Sequence, residues 1–313
     1  MVARPAPAAD ALPQRLAVVG HPVAHSRSPD IHARFAAACG KAIAYTRVEA
    51  PLDGFLATVR AFAADAGHGA ARGCNVTVPF KGEAFAACTR LTERARRAEA
   101  VNTISFEPEG WVGDNTDGAG LVRDLEHNAG VPLRGRRVLV LGAGGAAAGA
   151  LEPLLAAQPA ALVVANRTPE KAAALVARFA DRAEQFGVAL ASAALDAPGT
   201  GFDVLINATA ASLQAEVPPL PPGTLRPGAL ALDMMYGPKA EPFLQWARAQ
   251  GAIARDGLGM LVEQAAEAWV AWFGLRPETF ATLAALRCQV DAAAPPAPAG
   301  GVATSPPAAG ASP

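Results

Sequence analysis

Six small residues, Gly142-Ala143-Gly144-Gly145-Ala146-Ala147, follow directly on the apolar run 138–141 and open an alanine-rich stretch. This is a G-x-G-x-x-A pattern in strand-turn-helix context. There Gly142 permits a tight turn, Gly144 lets backbone amides approach a pyrophosphate, and Ala147 is small enough for the helix to pack on its sheet. The helix N-terminus adds positive potential. The plain alternative is a small-residue turn in an alanine-rich chain. After the next apolar run comes Asn166-Arg167-Thr168, where binding of an unphosphorylated ribose calls for an acid. Arg167 can instead hold a 2′-phosphate through a charge-assisted fork, with Lys171 as a second cation. Thr168-Pro169 reads as an N-cap followed by proline at N1, so Lys171 falls in a first turn, where the dipole disfavours a cation. A bound phosphate explains that choice. These residues favour NADP; NAD stays open, with Arg167 and Lys171 as solvated surface cations.

Four further segments are rich in polar groups beside glycine and proline: His21-Pro22-Val23-Ala24-His25-Ser26-Arg27-Ser28-Pro29, Gly73-Cys74-Asn75-Val76-Thr77-Val78-Pro79-Phe80-Lys81, Ala100-Val101-Asn102-Thr103 and Gly113-Asp114-Asn115-Thr116-Asp117-Gly118. Each has an ordinary explanation. Ser28-Pro29 suits a helix cap, Asn75 and Thr77 can face solvent from a strand, and 114–118 can be a turn.

The elements that must position these residues alternate. Runs 16–19, 44–48 and 74–78 read as strands, and Leu52, Phe55, Leu56, Val59 and Phe62 recur at helical spacing between them. Residues 101–106, a turn at 107–110 and Trp111-Val112 read as a hairpin. A second series of strands at 138–141, 162–165, 204–206 and 229–232 reads as a separate nucleotide domain, whose first helix Pro153 should kink or end early. Apolar stripes at 261–272 and 280–286 read as helices folding back on the first domain, or as a dimer surface.

At 313 residues and 51% hydrophobic, the chain is long enough for two medium domains. A net charge of −1 leaves no field to hold nucleic acid or an anionic membrane, which favours a small-molecule partner. Cys39, Cys74, Cys88 and Cys288 form no CxxC pair and have no histidine at metal-ligand spacing, so no metal is expected and a reducing, cytoplasmic setting fits. No apolar run approaches a bilayer span. The ends, 1–14 and 290–313, are alanine, proline, glycine and serine, and read as disordered tails.

Taken together, in this order and before the G-x-G-x-x-A unit, the four polar segments resemble those of shikimate dehydrogenases. The resemblance runs over about residues 16–287 and includes Asp233-Met234-Met235-Tyr236 and Gly257-Leu258-Gly259-Met260-Leu261-Val262-Glu263-Gln264. It implies an α/β fold of two domains: a substrate-binding domain at 15–117, a Rossmann-type NADP domain at 118–256, and helices at 257–289 returning to the first. It implies that Ser26 and Ser28 hold a substrate carboxylate, that Asn75, Thr77, Asn102, Asp117 and Gln264 bind ring hydroxyls, with Tyr236 as a further contact, and that Lys81 and Asp117 are the acid-base pair. To the cofactor it assigns Gly142, Ala143, Gly144, Gly145, Ala146, Asn166, Arg167, Thr168, Lys171, Thr209, Met234, Gly257 and Met260. For the catalytic pair the alternative is a simple salt bridge closing two loops, and for Met260 a core residue at a helix start.

Two positions depart from the family pattern. Ser212 stands where Asn207-Ala208-Thr209-Ala210-Ala211 leads the family to a glycine, and Glu241 precedes Pro242-Phe243 where a threonine is usual. The reaction implied is reversible NADPH-dependent reduction of 3-dehydroshikimate to shikimate, toward chorismate and the aromatic amino acids, by an oxidoreductase acting on a CH–OH group. A quinate or NAD-using relative and a non-catalytic shikimate-binding regulator are the alternatives.

Overall fold

The computed structural model describes residues 12–65, 67–209, 211 and 216–292. Its first sheet holds β1 (Gln14–Gly20), β2 (Ile43–Glu49), β3 (Ala71–Val76), β4 (Arg90–Leu91), β5 (Thr103–Glu107) and β6 (Gly110–Asp114), in the order β2-β1-β3-β5-β6-β4. β1 pairs in parallel with β2 and β3, while β3–β5 and β5–β6 are antiparallel. The sheet is therefore mixed, because the tight hairpin at Pro108-Glu109 can join only antiparallel strands. β3 stops at Val76, short of the expected 78. Val78 is exposed and precedes Pro79, which restricts it and offers no ladder donor. Leu52 lies exposed before helix α2 (Phe55–Ala64), and the buried stripe is Phe55, Val59 and Phe62. Helices α1 (Ser28–Cys39), α3 (Lys81–Ala87) and α4 (Glu93–Ala98) complete this half.

Helix α5 (Asp117–Arg123), extended by a wide turn at Asp124–Asn128, leads to the second sheet. It contains β7 (Arg137–Leu141), β8 (Ala161–Asn166), β9 (Ala189–Ala194), β10 (Phe202–Asn207), β11 (Leu225–Asp233) and β12 (Ile253–Arg255), in the order β12-β11-β10-β7-β8-β9. Every pairing is parallel. This is the doubly wound nucleotide-binding order, reversing between β7 and β10. Both faces are covered, by α6 (Gly145–Ala156), α7 (Pro169–Arg178) and α8 (Ala180–Phe186), and by α9 (Glu241–Ala249) on the other side, so Val138, Val140, Leu139 and Leu141 are all buried. Sequence patterning passed over β9 and β12, two edge strands too short or too alanine-rich to show alternation. Pro153 sits in the last full turn of α6, which continues to Ala156 instead of breaking.

Helices α10 (Leu258–Phe273) and α11 (Phe280–Ala292) pack back on the first half. Val262, Ala265 and Trp269 bury against Ile31 and Phe35 of α1. Trp272 Nε1 donates to the Ile104 carbonyl at 3.1 Å, and Arg72 Nε donates to the Trp272 carbonyl at 2.7 Å. The stripe expected as a returning face or a dimer surface is thus used within one chain. β1 begins inside the first expected tail and α11 runs to Ala292, inside the second; the rest of both tails, and Ser212, lie outside the described residues. Among the described residues no helix is long and apolar enough to cross a membrane.

Candidate active site

The site is built where α10 crosses the ends of β1 and β3. A cleft of about 650 Å³ opens there, lined by Ser26, Ser28, Asn75, Thr77, Lys81, Asn102, Tyr236 and Gln264 among others. All eight were singled out in the sequence for the substrate. Lys81 opens α3 just after Pro79, and its Nζ donates to Asp117 Oδ2 at 2.6 Å. Asp117, 4% exposed, sits behind the lysine as the first residue of α5, where a helix N-terminus suits an acid.

Asn102 holds the other carboxylate oxygen, its Nδ2 donating to Asp117 Oδ1 at 2.7 Å. The amide cannot be turned round, because Oδ1 accepts from the Thr116 backbone N–H at 2.9 Å and a carboxylate can only accept. Thr103 Oγ1 donates to the same Oδ1 at 3.0 Å and itself accepts from Asn75 Nδ2 at 3.0 Å. Gln264 lies on the cleft face of α10 with Leu261, three residues before it, and its Oε1 accepts from Asn102 Nδ2 at 3.1 Å.

The ordinary explanations do not account for Ser28, Asn75 and Asp114. Ser28 is inside α1 and caps nothing; its hydroxyl accepts from Ser26 Oγ at 3.1 Å. Asn75 is bonded on both sides of its amide. In the turn at 114–118, Arg94 grips Asp114 through two bonds of 2.7 and 2.6 Å, and Asn115 Nδ2 reaches the Ala100 carbonyl at 3.0 Å. Burial alone would raise the Asp114 pKa, but Arg94, with the Thr92 hydroxyl and the Asn115 backbone N–H, outweighs it and holds the carboxyl below its ordinary value. Sequence reading missed Arg27, His25, Met235 and Lys239, which also line the cleft. Lysine and arginine supply three cations, Arg27, Lys81 and Lys239, and no carboxylate lines the wall, which suits an anionic ligand.

The proposed nucleotide residues gather at the carboxyl ends of β7, β8, β10 and β11, at the point where the strand order reverses. Gly142 has φ +99°, and an added Cβ would stand 3.0 Å from the Ala208 carbonyl oxygen. Gly144 caps α6, and nothing lies within 4 Å of where side chains on Gly144 or Gly145 would begin. A helix N-terminus left bare in this way fits a dinucleotide phosphate, with Ala143 and Ala146 flanking it. Asn166 Nδ2 bonds the Thr168 carbonyl at 2.9 Å, shaping the turn from which Arg167 and Lys171 extend exposed. Thr168 stands at the N-cap position without a side-chain cap bond. Thr209 Oγ1 donates to Asn207 Oδ1 at 2.7 Å. Gly257 has no room for a side chain because the Met234 carbonyl lies against it. Met260 is 8% exposed and packs with Leu121 and Leu151 in the core, whereas Met235 reaches the cleft. Among the described residues no cluster of three His, Cys, Asp or Glu side chains could hold a metal ion.

Three family models match in chain order: the shikimate dehydrogenase substrate binding domain at residues 18–104, shikimate / quinate 5-dehydrogenase at 125–215, and the shikimate 5'-dehydrogenase C-terminal domain at 257–287. A shikimate dehydrogenase (NADP(+)) of Methylibium petroleiphilum is 60% identical over 281 residues, 89% of this chain and 96% of that one. The chain belongs to the shikimate dehydrogenase family.

Shikimate dehydrogenase structures share its two-domain α/β architecture. The Thermus thermophilus shikimate 5-dehydrogenase in complex with NADP(H) and shikimate is 34% identical, with a TM-score of 0.74 over 88% of this chain and 99% of that one. The Ael1 enzyme from Pseudomonas putida, 47% identical, aligns with a TM-score of 0.78 over 87% and 98%.

Proposed function

We propose that this chain is a shikimate dehydrogenase, reversibly reducing 3-dehydroshikimate to shikimate with NADPH in the route to chorismate and the aromatic amino acids. The observation that carries the reading is Lys81, lining a cation-rich cleft and held from behind by Asp117 at 2.6 Å, beside a doubly wound sheet. The curated relatives named for NADP(+) favour this cofactor and substrate over quinate, over NAD and over a non-catalytic binder.

Gly142, Ala143, Gly144, Gly145 and Ala146 would hold the pyrophosphate of NADPH, Arg167 and Lys171 its 2′-phosphate, and Asn166, Thr168, Thr209, Met234, Gly257 and Met260 would complete its site; when bound it would supply the hydride. As the ketone carbon accepts it, negative charge grows on the oxygen. Lys81 stabilises that charge and gives up the proton that completes the hydroxyl. In the oxidative direction the proton returns to Lys81 as the hydride leaves. Asp117, held by Asn102, aims the lysine. Ser26 and Ser28 receive the ring carboxylate, and Asn75, Thr77, Asn102, Asp117 and Gln264, with Tyr236, receive the hydroxyls. A site that bonds every hydroxyl rejects analogues lacking one, because its own buried groups would go unpaired.

The test is reduced-nicotinamide absorbance with shikimate or quinate, each with NADP and NAD. Fast turnover confined to shikimate and NADP supports the reading; preference for quinate or NAD, or silence in all four assays, overturns it. A cytoplasmic location belongs to the same proposal and is supported by free thiols at Cys74, Cys88 and Cys288. So does a homodimer, for which the buried face of α10 is not available; solution mass decides it.

A further inference from the structure

The protein has two tyrosines, Tyr45 and Tyr236. Tyr236 belongs to the cleft wall already described. Tyr45, on β2, is given no role by the sequence motifs, and it does not line the cleft. Its hydroxyl nevertheless donates to Asn75 Oδ1 at 2.7 Å and lies against the Ser28 side chain.

The amide orientation of Asn75 makes this bond directional. Asn75 Nδ2 faces the Asn102 carbonyl at 3.3 Å, which can only accept, so Oδ1 must face Tyr45. From there the donors run one way. Tyr45 donates to Asn75, Asn75 to Thr103, Thr103 to Asn102, and Asn102 to Asp117, where Lys81 donates from the other side. The Tyr45 hydroxyl also lies near the Ser28 side chain, which pairs with Ser26. A chain of hydrogen bonds therefore runs from Tyr45 to the acid-base pair, and the serine pair stands beside its first member.

The ring is fixed independently of the hydroxyl. His32 stacks on it, centroids 4.5 Å apart and planes within 8°, and His32 is in turn enclosed by Phe35, Trp269 and Trp272. Neither His32 nitrogen forms a well-aligned hydrogen bond among the described residues, although the Asn75 side chain lies near the ring, and the imidazole acts here chiefly as a flat wall. Removing the Tyr45 hydroxyl alone leaves that packing in place.

We propose that Tyr45 is a positioning residue that locks the Asn75 amide and the Ser28 hydroxyl into the geometry that receives the substrate's ring hydroxyl and carboxylate. The proposal rests on the reading of the cleft as the shikimate site. Without the phenol, Asn75 Oδ1 loses its donor and the amide can swing, which weakens substrate binding more than proton transfer at Lys81.

The experiment is steady-state kinetics and thermal melting of wild type, Tyr45→Phe, Asn75→Ala and the double variant. The expected result for Tyr45→Phe is a shikimate KM raised about tenfold, within the range of one hydrogen bond, with kcat, the NADP KM and the melting temperature nearly unchanged. In the Asn75→Ala background the second change should add less than half of that effect on a logarithmic scale. An unchanged shikimate KM, a full independent effect in the Asn75→Ala background, or parallel losses in both KM values and in melting temperature would each overturn the positioning role. Wild-type protein that neither binds nor turns over shikimate overturns the functional reading beneath it, and the proposal falls with that reading.

Discussion

Asp117 is gripped from two sides: Lys81 Nζ stands 2.6 Å from Oδ2 while Asn102 Nδ2 stands 2.7 Å from Oδ1. The carboxylate is 4% exposed and the lysine side chain 27%, so the acid is hidden and the amine faces the cleft. A salt bridge made only to close two loops would have no need of this asymmetry, and variant kinetics separate the two roles.

Lys81→Ala should lower kcat by about 10²–10⁴-fold, the usual worth of a positioned acid-base group, while shikimate binding, followed by isothermal titration, weakens far less. A change confined to KM would assign Lys81 to binding alone.

Arg167 extends exposed from the turn after β8, with no ion-pair partner among the described residues. Arg167→Ala is expected to raise the KM for NADP by roughly 10- to 100-fold, the value of a charge-assisted hydrogen bond to phosphate, and to leave the KM for NAD alone. Equal losses with both dinucleotides would separate Arg167 from the 2′-phosphate.

Gly142 occupies a left-handed conformation that only glycine adopts without strain. Replacement by alanine should cost about 1–3 kcal/mol, seen as a lower urea midpoint, and should raise the KM for NADP because the turn presents the amides of the α6 N-terminus. A variant with wild-type stability and NADP affinity would show that the turn relaxes freely.

Burial pushes the His32 pKa from 6.5 down to about 3, against a weaker upward pull from the Asn75 side chain. The unfolded chain then takes up a proton below pH 6.5 that the folded chain refuses until about pH 3. The contribution of this group to stability is complete above pH 6.5 and is lost as pH falls through that window, at about 1.4 kcal/mol per pH unit. Urea unfolding at pH 7.5 and pH 5 should therefore differ by about 2 kcal/mol more in wild type than in His32→Phe; equal differences would show that His32 is protonated in the folded state.

Much of this was legible in the chain itself. Alternating apolar runs marked most strands of both sheets, and the small residues at 142–147 identified the turn after β7, where Gly142 takes positive φ and nothing crowds Gly144 or Gly145. Short polar segments beside glycine and proline pointed to residues that the fold gathers around one cleft, whose types suit a carboxylate and several hydroxyls. Edge strands β4, β9 and β12 escaped because a strand of few or small residues carries no periodic signal.

What the sequence determined alone was therefore local: which residues can turn, cap, bury or donate. Only the tertiary structure decided which of them meet. Lys81 and Asp117 are 36 positions apart, Asn102 and Gln264 are 162, and Tyr45 on β2 bonds Asn75 on β3 across the intervening β1 without sharing any motif with it. Such pairings depend on strand order and on α10 folding back across the first sheet. A hydrogen bond is selected by where two donors and acceptors come to rest in the packed chain, and spacing along the sequence carries no trace of that.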